Sequence, residues 1–134
     1  MCALTKYRDQ RIASDIDDHC MKIAQDQIND IAILKLTKEL PWTMGDCRIL
    51  EDRIHCLVQR GTTRILVDMT SAHLISHEGI GTLIHGLKIV KEAGGIIHLV
   101  RRYITIGPAT VPVLYAVFSV FETVDQAMDA FEGI

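Results

Sequence analysis

Asp68-Met69-Thr70-Ser71-Ala72-His73-Leu74-Ile75-Ser76-His77-Glu78-Gly79-Ile80-Gly81 joins two patterns of different period. It begins in Arg64 to Met69, R-I-L-V-D-M, an aliphatic run of the kind that forms a buried strand, with an Asp near its C-terminal end. It leads into Ile80, Leu83, Ile84, Leu87 and Val90, which recur at the spacing of one helix face, while Lys88, Lys91 and Glu92 fall off that face. A strand therefore passes into a helix through a turn that carries Ser76, Glu78 and two glycines. A helix N-terminus leaves backbone N–H groups unpaired and carries partial positive charge. Ser76 fits the N-cap, and Glu78 falls in the first turn, where a carboxylate is favoured by about 0.3–1 kcal/mol. Gly79 and Gly81 allow either close approach of a partner or tight packing on a sheet.

The rest of the chain extends this pattern. Met21 to Gln25 and Ile31 to Leu36 read as strands joined by an Asn29-Asp30 turn, an antiparallel hairpin. Thr43, with Asp46 three residues on, is a weak form of the capping box. Cys47, Leu50, Ile54, Leu57 and Val58 then follow helical spacing up to Gly61, which fits the residue after a helix end. Gly94-Gly95 stops the second helix, and Ile96 to Val100 and Val117 to Phe121 read as strands. Thr123 and Gln126 predict a capping box for a last helix, Val124 to Phe131. Tyr103 to Pro112, interrupted by Gly107, Pro108 and Pro112, predicts at most a short or broken helix. The order β-β-α-β-α-β, an irregular stretch, then β-α points to an α/β domain with a mixed sheet and right-handed crossovers. Residues 1–18 read as a tail or short capping element and 19–134 as the domain.

Composition bounds the function. The 134 residues are 49% hydrophobic, enough for one domain with a real core. A net charge of −3 argues against nucleic-acid binding through bulk charge. The longest apolar run, Val111 to Phe118, is far shorter than the roughly 20 residues of a membrane span, and residues 1–18 show no signal pattern. The expectation is a cytoplasmic protein that does not insert into a membrane. Cys2, Cys20, Cys47 and Cys56 form no zinc template and read as free thiols.

The turn and the element order together resemble a STAS domain, the fold of bacterial anti-sigma factor antagonists. That family's pattern is a strand ending D-L-S, an apolar position, then D-S-S-G-(L/I)-G opening a helix. Asp68-Met69-Thr70 matches the first part, Ile75 the apolar position, and Gly79-Ile80-Gly81 the last part. Glu39-Leu40 echoes the family's G-E-L-D, and Phe118 to Ala127 its closing strand and helix. The resemblance runs from about Met21 to Phe131. It implies a mixed sheet of four or five strands with helices packed on it, no cofactor and no catalytic or metal-binding residues. In the family, the serine before the first of these glycines is phosphorylated by an anti-sigma kinase, and the added charge expels the partner. Here that position is Glu78. His77 stands for the preceding serine, Ser76 for the Asp before it, Lys38 for the Gly of G-E-L-D and Pro41 for its Asp. Glu78 supplies about one fixed negative charge against roughly −1.5 to −2 for phosphoserine. A switch lost and a switch frozen in something like its phosphorylated state both fit. Ser76 reads as an N-cap or as a displaced phosphosite, and Thr82 as an exposed helix residue.

The resemblance implies a non-enzymatic protein-binding signalling module. Its partner would be an anti-sigma factor kinase of the GHKL type or other STAS proteins. The expected contact surface comprises Ser76, His77, Glu78, Gly79, Gly81, Thr82, His85, Tyr103 and Thr105, with Lys88 nearby. One alternative is an accessory subunit of a membrane transporter that docks on its ATPase. Another is a small metal-dependent hydrolase using His73, His77 and Glu78, although the H-E-x-x-H spacing is absent. A homodimer through a sheet edge or the Val111 to Phe121 region is open.

Overall fold

Residues 21–72, 75–101 and 117–132 are described by the computed structural model. The hairpin forms as expected, and its strands are longer than expected. Strands β1 (Lys22–Ile28) and β2 (Ile31–Thr37) pair antiparallel, with Ile28 opposite Ile31. Asn29 makes the turn at φ 56°, a left-handed conformation that Asn tolerates. Apolar alternation alone stops β1 at Gln25. Pairing carries it to Ile28, whose side chain is 44% exposed and so gave no burial signal.

Helix α1 (Met44–Gln59) starts at Thr43, where a complete capping box forms. The Thr43 hydroxyl accepts from the Asp46 N–H, and the Asp46 carboxylate accepts from the Thr43 N–H. The helix ends at Arg60, followed by Gly61 at φ 86°. Strand β3 (Arg64–Ser71) leads to helix α2 (His77–Glu92), then to strand β4 (Ile96–Val100), strand β5 (Ser119–Phe121) and helix α3 (Val124–Glu132). The sheet order is β1-β2-β3-β4-β5, with every pair after the first parallel. This is the expected mixed α/β sheet, with five strands.

The parallel strands are buried on both faces, and their alternating residues enter separate cores. Leu34, Leu36, Ile65, Val67, Met69, Ile97 and Leu99 face one way, against Leu50, Ile54 and Leu57 of α1 and Leu83, Leu87 and Val90 of α2. Leu66 and Val100 face the other way, against Ala127 and Phe131 of α3, in a smaller cluster that also holds Ile31. The domain is therefore a sheet between two helical layers of unequal size.

Three sequence expectations need correction. The strand predicted from Val117 begins only at Ser119, because Phe118 turns into the larger core instead of joining the ladder and Val117 is 40% exposed. The capping box before α3 is half formed. Gln126 N–H donates to the Thr123 hydroxyl, but the Gln126 side-chain oxygen accepts from Glu122 N–H, one residue too early. Cys47 is a buried free thiol, whereas Cys56 is disulfide-bonded and not free, since sequence spacing does not register which thiols meet in space.

Candidate functional site

The turn between β3 and α2 is fixed by bonds made within a few residues and by one tryptophan. The Asp68 Oδ1 accepts from both the N–H and the hydroxyl of Thr70, which locks the strand end. Ser76 is the N-cap of α2, with extended backbone at φ −94°, ψ 172°, and its hydroxyl accepts from the Gly79 N–H at 3.1 Å. Beneath the turn lies Trp42, 3% exposed, whose indole N–H donates to the Ala72 carbonyl at 3.0 Å. Trp42 thus ties the start of α1 to the turn.

On this base, Glu78 is the second residue of α2, and both it and His77 before it are exposed, whereas the N-cap Ser76 is half-buried. The carboxylate stands in the first turn, at the positive end of a 16-residue helix. Gly81, His85 and Lys88 are further exposed positions along the helix. His85 Nδ1 lies 3.0 Å from a carboxylate oxygen of Glu51 on α1, so this part of the surface belongs to both helices.

Two residues assigned to the contact surface by sequence face inward. Thr82, expected to be exposed, is 8% exposed and hydrogen-bonds the Cys47 thiol of α1. Gly79 is buried, and a Cβ there would lie 2.7 Å from the Trp42 ring and 2.8 Å from Ile75. Gly79, Thr82 and Gly86 form a small-residue face that lets α1, Trp42 and Ile54 come close. The apolar periodicity marked only the larger residues of α2, so this second inward face was not visible. Gly81 is the opposite case, because a Cβ added there would meet nothing within 4 Å. Tyr103 and Thr105 lie outside the described residues, as do His73 and the expected tail 1–18.

Sequence reasoning also missed a buried polar cluster beside the site. Lys38 Nζ and Asp46 Oδ2 pair at 2.9 Å, with both side chains nearly inaccessible. Asp46 accepts in addition from the N–H groups of Met21 and Thr43. Burial acts to raise the Asp46 pKa, but the Thr43 and Met21 donors and Lys38 outweigh it and hold the carboxyl below its ordinary value. The backbone N–H of Lys38 donates to the Ser71 carbonyl at 3.0 Å. The cluster thus joins the start of β1, the end of β2, the cap of α1 and the end of β3. Only the capping role of Asp46 had a sequence signal. Lys38, which replaces the small residue of the family pattern, had none.

The groups this region exposes are the Glu78 carboxylate, the His77 and His85 side chains and the Lys88 ammonium. Burial pushes the Cys47 thiol up, and the charges of Asp46, Glu78 and Glu51 add to this while the Thr82 hydrogen bond opposes it. A buried thiol held protonated is a poor nucleophile. Among the described residues, no group of three or more His, Cys, Asp or Glu side chains is placed to hold a metal. Among the same residues, no helix is long and apolar enough to cross a membrane.

No family model matches the sequence, and no curated protein sequence matches it. Solved structures do match the fold. An anti-sigma factor antagonist from Mycobacterium paratuberculosis superposes with a TM-score of 0.67 at 17% identity, over 84% of this chain and 94% of that one. The unphosphorylated form of the antagonist SpoIIAA gives 0.66 at 16% identity, over 84% of this chain and 100% of that one. A serine-to-glutamate variant of RsbS from Moorella thermoacetica gives 0.64 at 11% identity, over 84% and 96%. The order of elements, the sheet and these superpositions together establish that the chain has the STAS fold of the anti-sigma factor antagonists.

Proposed function

We propose that this protein is a non-enzymatic signalling module that binds another protein through the N-terminal end of α2, and that Glu78 gives that surface a permanent negative charge. The carrying observation is the placement of Glu78: exposed, in the first turn, two residues after an N-cap that is already satisfied. The Ser76 hydroxyl serves the helix backbone, which leaves the Glu78 carboxylate to meet a partner. Its position matches that of the phosphorylatable serine in the resembling family, and its charge does not depend on a kinase. The reading is of a switch held in the charged state, with an anti-sigma factor kinase of the GHKL type or another STAS protein as the partner. The surface centres on His77, Glu78 and Gly81 and extends to His85 and Lys88. Gly79 and Thr82 support it from inside.

The test uses a purified anti-sigma factor kinase of the GHKL type. Binding of wild type, Glu78→Gln and Glu78→Ser is measured by titration calorimetry. Removing the charge is expected to strengthen binding about tenfold or more, the scale of one charge-assisted contact. Incubation with kinase and ATP is expected to leave the wild type unmodified. The triple variant Ser76→Asp/His77→Ser/Glu78→Ser, which restores the family pattern, is expected to take up phosphate. Binding by neither wild type nor variants, or phosphate on wild-type Ser76, would overturn the reading.

A further inference from the structure

The outer edge of β1 is a surface that the reading above does not use. Among the described residues, strand β1 pairs with β2 on one side only and is the edge of the sheet. It has seven residues and no proline, and all but Ile23 are exposed. Because Ile28 closes the hairpin opposite Ile31, Lys22, Ala24, Asp26 and Ile28 turn their backbone groups toward β2. The backbone groups of Ile23, Gln25 and Gln27 therefore point outward. One bond supports this placement: the Gln27 N–H is taken by its neighbour's side chain, Asp26 Oδ1 at 2.8 Å, and not by β2.

An edge of this length is a template for another strand. Natural edges are commonly protected by charge, and this one carries Lys22 and Asp26. Their positions decide the partner. They lie two residues on either side of Ala24, on the same face of the strand, and they are opposite in sign. If a second copy approaches antiparallel about a twofold axis through Ala24, Lys22 of each copy faces Asp26 of the other. These are non-hydrogen-bonded positions, where cross-strand side chains come closest. In the same register Ile23 faces Gln25 of the second copy, and those residues exchange the outward backbone bonds. A strand with like charges at both positions would repel its own copy, and this one attracts it. The face of β1 that carries the two pairs is open, with Lys22, Ala24, Asp26 and Ile28 all exposed. The other face is occupied, with Arg53 of α1 donating to the Gln25 side chain at 2.9 Å.

We infer that two copies of this chain associate through their β1 edges in this register, joining two five-stranded sheets into one. The interface is small and largely backbone, so the dimer is weak and sensitive to ionic strength. It leaves the α2 surface open in both copies.

Sedimentation equilibrium on the full chain, at concentrations as high as solubility allows and at low salt, tests the inference. A reversible monomer–dimer equilibrium that shifts to monomer with added salt is expected. Lys22→Glu is expected to weaken it about tenfold or more, because it places like charges opposite each other twice. Lys22→Glu/Asp26→Lys is expected to restore it. Under mild oxidation Ala24→Cys should cross-link to its own copy, while Ile28→Cys, far from the axis, should not. These exposed positions leave the core untouched, so circular dichroism should report folded variants throughout. A wild type that stays monomeric overturns the inference, as does a dimer indifferent to Lys22→Glu or one cross-linked by Ile28→Cys in place of Ala24→Cys. A monomer whose Ile23 and Gln25 amides nonetheless resist hydrogen exchange would show another segment on the edge, and would overturn it too.

Discussion

At the scale of single residues, the two glycines of the turn separate packing from recognition. Gly79 sits where a methyl group would press on the rigid Trp42 ring, and Gly81 faces open space. Gly79→Ala should therefore cost about 1–3 kcal/mol through overpacking. Gly81→Ala should instead add roughly 0.5–1 kcal/mol, since alanine loses less backbone freedom in a helix. Urea denaturation of both variants checks this, and a Gly79→Ala protein as stable as Gly81→Ala would show that the packing beneath the turn is looser than described. Thr82 and Glu78 carry the same lesson. Both are polar residues in the first two turns of α2, and only their angular position sends one to Cys47 and the other to solvent.

At the scale of elements, α3 depends on one histidine. His98 on β4 is buried. Its ring stacks on Phe131 at 3.9 Å between centroids and tilts against Phe121 at 5.1 Å, and its Nδ1 lies 3.2 Å from the Ala127 carbonyl. Burial lowers its pKa below the ordinary 6.5, with the Ala127 carbonyl opposing in part. Below pH 6.5 the unfolded chain binds a proton at this histidine that the folded chain does not, so stability falls as pH decreases through that range. The loss continues until the folded protein is itself protonated at its lower value. Urea midpoints measured from about pH 7.5 down to pH 5 should drop, and His98→Gln, which keeps a donor for Ala127 but cannot titrate, should flatten the slope. An unchanged slope would assign the pH dependence to other groups. Asp46 acts in a lower range. Its carboxyl is held below 3.8, so its contribution is present above that value and is lost as pH falls through the lower folded value.

At the scale of the whole molecule, the two faces of the sheet are unequally held. Helix α2 buries seven residues and shares its core with α1, whereas α3 buries only Ala127 and Phe131. The α3 layer should open first. Native-state hydrogen exchange should show amides of α3 and β5 exchanging at a lower opening free energy than those of β3 and α2. Equal protection in both layers would mean that the sheet and its two coverings unfold as one unit.

The alternation of apolar residues and the helical spacing from Ile80 to Val90 determined, from sequence alone, the order of elements, the mixed sheet and the helix start at Ser76. These are legible because periodicity and caps are local, depending on residues a few positions apart. The inward facing of Gly79 and Thr82, the meetings of Lys38 with Asp46 and His85 with Glu51, and the place of β1 at the edge of the sheet among the described residues emerge with the packing of the folded chain. Each of these depends on which distant segment lies alongside, and a small or charged side chain carries no mark of its neighbour until the chain has folded.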